Sequence, residues 1–221
     1  MYVMDFSALE EYAILFLRGA GMTLWLTAVS SACGIALGLA GARLSTSGGK
    51  WVRGFIASYV EVIRNTPFLI QMFVIFFGFP LLGIQISEWW AAFLAMTINI
   101  AAYASEILRA GVIAVSVNQM RAGLALGMSS MQTFLHVVLP QAIAKVYPAL
   151  KSQILLMMLA SAVISQISVR DLTYEANFIQ GRTFRAFEVY MLTAAIYLAL
   201  SFLVTQVLDR FAKKSLKGSK A

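Results

Sequence analysis

Charge is scarce in this sequence: Asp, Glu, Lys and Arg make up 12% of 221 residues, against 60% hydrophobic ones. A soluble domain carries about 25% charged and 45–50% apolar residues, and a chain this short cannot hide so much apolar surface in one aqueous core. The shortage excludes an ordinary water-soluble domain and implies an integral membrane protein. Cysteine is nearly absent: Cys33 stands alone, which excludes an intrachain disulfide, and its apolar setting predicts a small packing residue. His136 is the only histidine and lies far from Cys33, so no metal site is expected. No G-x-x-x-x-G-K-[ST] occurs, since Gly48-Gly49-Lys50 runs into Trp51 and lacks the upstream glycine. The chain is expected to carry no cofactor or nucleotide site of its own. H-E-x-x-H, a Cys/His pair and a carboxylate cluster are also missing, which argues against a membrane-embedded enzyme. The start, MYVMDFSALEEY, lacks the basic region of a cleaved signal peptide, so the first span is expected to be retained.

What is plentiful is long apolar runs. A membrane-crossing helix needs roughly 20 mostly apolar residues, and five stretches qualify: about 20–42, 55–80, 87–108, 142–166 and 187–208. The expected fold is all-α, with five transmembrane helices in one domain, 1–221. Gly34, Gly38 and Gly41 space the first span for close helix approach. Pro67 should bend the second or break it. The net charge of +7 comes from residues at span ends and in the tail, which reads as membrane flanks rather than a nucleic-acid surface. Arg43, Lys50 and Arg53 follow the first span; Arg109, Arg121 and Lys145 follow the third; Arg210, Lys213, Lys214, Lys217 and Lys220 make up the tail. The positive-inside rule then places the N-terminus outside and the C-terminus in the cytoplasm. Residues 110–141 become the largest cytoplasmic feature.

Within that loop lies RAGLALGMSSMQTFLHVVLPQA, residues 121–142. Leu124, Met128, Met131, Leu135 and Val138 recur at helical steps. Gly127 supplies the left-handed geometry that ends a helix, and Ser129 with Gln132 makes a capping box that starts another. Pro140 suits the first turn of the following span. The segment therefore reads as helix, tight turn, short helix and re-entry. Two roles fit: a docking element, or an interfacial helix that only closes the loop. Few charges and the adaptable Met128 and Met131 favour docking.

The same residues resemble the cytoplasmic EAA loop of ABC importer permeases, a pattern of EAA, three residues, Gly, nine residues and Ile-x-Leu-Pro. Arg121-Ala122-Gly123 takes the EAA place, Gly127 the glycine, and Val137-Val138-Leu139-Pro140 the end. Arginine replaces the glutamate and glycine the second alanine. YVEVIRNTPFLIQMFVIFFGFP (59–80) is similar to the YxExxRxTPxLxQ signature of the polar amino acid branch, and residues 101–129 and 150–176 resemble two further stretches of it. This resemblance implies a five-span, N-out subunit of a bacterial inner-membrane importer of polar amino acids. It also implies its partners: an ATPase dimer carrying the ATP and Mg, a second permease chain, identical or related, and a solute-binding protein. Arg121, Ala122, Gly123, Gly127, Met128, Ser129, Leu139 and Pro140 would then couple the permease to the ATPase.

Ionisable groups at membrane depth are costly and usually face a bundle interior or a watery path. Glu61 with Arg64, and Glu106 with Arg109, are spaced to meet on one helix face. A cationic substrate would want a buried carboxylate, and Glu61 and Glu106 are candidates, with Gln71, Asn99 and Tyr103 as neutral hydrogen-bonding partners along the pathway. Structural helix-to-helix bonding explains the neutral groups equally well. A self-contained ion-coupled carrier or channel is the alternative, and it predicts internal repeats or broken helices around ionisable clusters.

Overall fold

The computed structural model describes residues 4–115 and 117–215. Lys217 and Lys220 of the expected basic tail, and residue 116 of the long loop, lie outside them. The chain runs through α1 (Ser7–Glu10), α2 (Ala13–Ser47), α3 (Lys50–Arg64), α4 (Phe68–Leu81), α5 (Glu88–Ala114), α6 (Val117–Ala125), α7 (Ser130–Thr133), α8 (Leu139–Ala160), α9 (Leu172–Thr183) and α10 (Ala186–Ser215). A π-helical turn, Phe134–Val138, joins α7 to α8, and a 3₁₀ stretch, Ser161–Ile167, follows α8. Among the described residues there is no strand. Four helical runs among the described residues are long and apolar enough to cross a membrane: Ala13–Ser47, Glu88–Ala114, Ser130–Ile167 and Ala186–Lys214.

The second expected span, 55–80, is not one helix. Asn65 closes α3, its backbone N–H reaching Glu61 O at 3.1 Å and its side-chain amide the same oxygen at 2.9 Å. Pro67 then opens α4 as its extended N-cap, and it disfavours the helical region for Thr66 before it, so α3 cannot run on. α4 has 14 residues, about 21 Å of helix, short of a hydrocarbon core about 30 Å thick. Only when α3 and α4 count together as one bent span does the number reach five.

The described residues fall into two compact units. One comprises residues up to 32, 66–97 and 155–204. Its core gathers Leu9, Phe16, Ala20, Met158, Leu172, Ala176, Ile179, Val189 and Leu200. Gly19 allows the start of α9 to lie against α2: a methyl there would sit 2.8 Å from the Leu172 Cα. Thr23 Oγ1 accepts from Leu172 N at 3.2 Å, and Asp171 caps α9 by accepting from Tyr174 N at 2.8 Å. The Asp171 carboxyl is fully buried, and that burial, only partly offset by backbone N–H donors, pushes its pKa up to about 7. Arg185 bridges Asp5, at 3.1 Å, and the buried Glu188, at 3.2 Å, which ties the N-terminal segment to α10.

The other unit comprises residues 33–65, 98–154 and from 205 onward. Ala42, Ala104, Leu108 and Leu150 form one core, with Leu39, Ile143 and Val146 against it. Gly38 and Gly41 take the close-approach role expected of them: an added methyl would meet Ser105 N at 2.9 Å and Ser105 Cβ at 3.2 Å, respectively. Lys151 pairs with Asp209 at 2.8 Å, joining α8 to α10. Cys33 is half-buried and free.

Candidate functional site

α6 ends in a Schellman arrangement. Gly127 N donates to Leu124 O at 3.0 Å and Met128 N to Gly123 O at 3.1 Å, with Gly127 at φ +79. These bonds take up two of the carbonyls that a helix end leaves unpaired. Ser129 then starts α7 with a complete capping box: its N–H donates to Gln132 Oε1 at 2.8 Å, and Gln132 N donates to Ser129 Oγ at 3.2 Å. Thr133 Oγ1 adds a bond to Ser129 O at 3.0 Å. The turn is thus fixed by local chemistry on both sides of the glycine.

The short helix does not end before the span, as the sequence suggested, but flows into it through the π-helical turn. Pro140 has no N–H to donate to the preceding turn. Leu139 N reaches back five residues to Phe134 O. Side chains take up neighbouring carbonyls: Gln141 Nε2 donates to Val137 O at 2.9 Å, and His136 Nδ1 lies 2.9 Å from Gln132 O. His136 therefore has a local structural partner.

The wider turn also changes which residues face inward. Val138, expected on one face with Leu124 and Met131, is buried with Phe134, Val115, Leu139 and Ala142. Leu124, Met131 and Leu135 are exposed, and Leu126 is 83% exposed at the tip. Of the eight expected coupling residues, Arg121, Ala122, Gly127 and Ser129 are exposed; Met128 and Pro140 are half-buried; Gly123 and Leu139 are buried. The outward set is thus split from an anchoring set. Leu126 and Phe134, absent from the expected eight, are the most exposed large apolar residue of the segment and its largest buried anchor.

Gly123 is buried because α6 packs directly on Thr133: a methyl at Gly123 would lie 2.8 Å from Thr133 Oγ1 and closer still to Cγ2. This accounts for glycine where the resembling family usually has alanine. Arg121 forms no ion pair among the described residues.

A second feature is a cavity of about 620 Å³ lined by Arg53, Glu61, Arg64, Tyr103, Glu106 and Arg109, with Ser45 and Ser105. Glu106 and Arg109 pair as expected, through two bonds of 2.8 and 2.6 Å. Glu61 and Arg64 do not; Arg64 instead lies over the Tyr103 ring, 5.5 Å from its centroid. Three arginines against two glutamates leave the lining electropositive, and Glu106 is already committed. Glu61 also lines the cavity, where it is exposed and forms no ion pair among the described residues. Of the five expected pathway residues, Glu61, Tyr103 and Glu106 line it. Asn99 is buried and is not part of the lining. Gln71 belongs to the other unit, where its amide donates to Thr66 O at 2.9 Å.

Residues 34–218 match a family described as "Binding-protein-dependent transport system inner membrane component". The glutamine transport system permease protein GlnP of Escherichia coli (strain K12) is 32% identical over 213 residues, covering 95% of this chain and 97% of that one. The arginine transport system permease protein ArtQ of Bacillus subtilis (strain 168) is 31% identical over 220 residues, 98% of this chain and 99% of that one. A crystal structure of an amino acid ABC transporter with histidines superposes with a TM-score of 0.85 at 37% identity, over 96% of this chain and 100% of that one. The MetNI methionine ABC transporter in inward-facing conformations has a TM-score of 0.79 at 21% identity, covering 93% of this chain and 98% of that one, and shares the fold.

Proposed function

The chain belongs to the binding-protein-dependent transport system inner membrane component family, and from that premise we propose that it is the membrane-spanning permease of an ATP-driven importer of polar amino acids. A solute-binding protein delivers the substrate on the outer side. A separate ATPase dimer, which holds the ATP and Mg, docks below. The observation that carries this reading is the residue 121–140 segment. Its glycine turn and capping box hold Arg121, Ala122, Leu124, Leu126, Gly127 and Ser129 outward, while Phe134, Val138 and Leu139 anchor it inward.

The N-terminus lies outside and the C-terminus in the bacterial cytoplasm, which puts that segment on the ATPase side. Two permease chains, identical or related, enclose the pathway, with Glu61, Tyr103 and Glu106 along it. Arg121, standing where an acidic residue is usual, favours a related partner that carries the glutamate. Relatives named for glutamine and for arginine place substrate charge outside what membership decides, and the paired Glu106 supports a polar rather than strictly cationic substrate.

The test is reconstitution of the purified permease–ATPase complex in proteoliposomes, with its binding protein and labelled glutamine or arginine. ATP-dependent uptake is expected. Uptake driven by an ion gradient without any ATPase chain would replace this reading with a self-contained carrier.

A further inference from the structure

Arg43, near the end of α2, holds the docking segment at its short helix α7. Its guanidinium lies over the Phe134 ring, 4.8 Å from the centroid, and Nη2 donates to Ser130 Oγ at 3.2 Å. Ser130 is the first residue of α7 and Phe134 the first of the π-helical turn, so one side chain grips both ends of the short helix. The anchor beneath it is firm: Phe134 is buried among Val115, Val138, Leu139 and Ala142, with Leu39 of α2 against the same cluster. Arg43 has no ion pair among the described residues, and its Nε is buried without a hydrogen-bond partner.

Such an arrangement is costly if its only purpose is to fill space. A buried N–H without an acceptor destabilises the fold, and a leucine would cover Phe134 without that cost. What the guanidinium adds is a contact that holds while it shifts. A cation over a ring is attracted across the ring face rather than along one bond direction, whereas a salt bridge would fix a single geometry. A π-helical turn at a functional segment is likewise a place where the helix register can change.

We propose that Arg43 is the positioning residue that carries displacement of the residue 121–140 segment into α2, through Phe134 and Ser130. The covalent chain links the segment to α5 and α8; to the first long helix, Leu39 gives an apolar contact and Arg43 the polar one that reaches both Ser130 and Phe134. This rests on the importer reading above.

The test uses the complete permease–ATPase complex in proteoliposomes and measures uptake per ATP hydrolysed. Arg43→Met should insert, co-purify with the ATPase and hydrolyse ATP, while uptake per ATP falls about tenfold, the scale of losing one half-buried cation–π contact, between the exposed and desolvated cases. Arg43→Lys keeps the charge but cannot span both partners, and should recover part of the loss. Ser130→Ala, an exposed change that removes one hydroxyl, should give a smaller fall. Arg43→Met combined with Phe134→Leu should be no worse than the poorer single variant. Uptake and hydrolysis falling in proportion, full recovery by Arg43→Lys, or effects that multiply in the double variant would each overturn the proposal. So would loss of assembly in Arg43→Met alongside an unchanged ratio in Ser130→Ala. A wild-type complex that shows no ATP-driven uptake would instead remove the importer reading.

Discussion

The guanidinium of Arg109 donates to both carboxylate oxygens of Glu106, Nε to Oε2 at 2.8 Å and Nη2 to Oε1 at 2.6 Å. A forked pair of this kind is shorter and stronger than a single neutral hydrogen bond, yet both side chains keep about a third of their surface exposed, 36% and 33%. Its worth is therefore modest, about 1 kcal/mol. Glu106→Gln should leave Arg109 without its carboxylate partner in an already electropositive cavity and lower both thermal stability and uptake. Glu106→Gln with Arg109→Gln should recover most of the stability. Single and double variants whose melting temperatures simply add would show that the pair does not act as a unit.

Gly123 and Thr133 form a matched pair across the Gly127 turn. A methyl at residue 123 has nowhere to go, because Thr133 is itself held by Ser129 O. Overpacking of this kind costs about 1–3 kcal/mol. Gly123→Ala, although it restores the residue usual in the resembling pattern, should weaken ATPase binding and lower uptake. Adding Thr133→Ser, which removes the crowding methyl but keeps Oγ 2.8 Å away, should restore part of each loss. A Gly123→Ala variant with wild-type ATPase affinity would show that the helix pair is free to adjust.

Much of this segment is legible in the sequence because its determinants are local. The glycine turn and the Ser129–Gln132 box depend on residues within a few positions of one another, and spacing alone reveals them. The π-helical turn is not legible in spacing: Pro140 suits the first turn of a helix equally well, and its missing N–H does not say how the preceding turn will widen. A regular helical step places Val138 with Leu124 and Met131, whereas the wider turn carries it inward beside Phe134. Ion pairing shows the same limit. Glu61–Arg64 and Glu106–Arg109 have identical spacing, but Tyr103 offers Arg64 a ring, and a competing partner on another helix is invisible to an i, i+3 rule. The second span breaks where its proline marks it: apolar composition runs on through Pro67, while the helix stops before it and restarts after it.

Asp171 gives the fold a pH dependence of defined sign. Its pKa is raised from 3.8 to about 7, so between those values the folded state binds the proton that the unfolded state has released. Stability is fully present below about pH 4 and falls as pH rises through about 7, by about 1.4 kcal/mol per unit at the steepest. Asp171→Asn retains a good helix cap without a titrating group. Thermal melts from pH 5 to 8 should decline for the wild type and stay flatter for the variant, which should be the more stable at pH 8. Parallel curves would mean that the carboxylate is already ionised in the folded protein.

The central claim is that residues 121–140 couple ATP hydrolysis to transport, and Gly127 is where it is most exposed to test. The residue sits at φ +79 with open space where a Cβ would go. A substituent there meets no neighbour within the chain, and the backbone penalty is only about 1–2 kcal/mol. Gly127→Arg should therefore leave expression and membrane insertion intact while placing bulk and charge on the docking surface. Gly127→Asn, which tolerates the same backbone geometry, should be much milder. The decisive measurement is uptake, ATPase co-purification and ATP hydrolysis on one Gly127→Arg preparation. The account predicts uptake abolished, with the ATPase either detached or hydrolysing without transport; normal uptake with normal substrate-stimulated hydrolysis would contradict it.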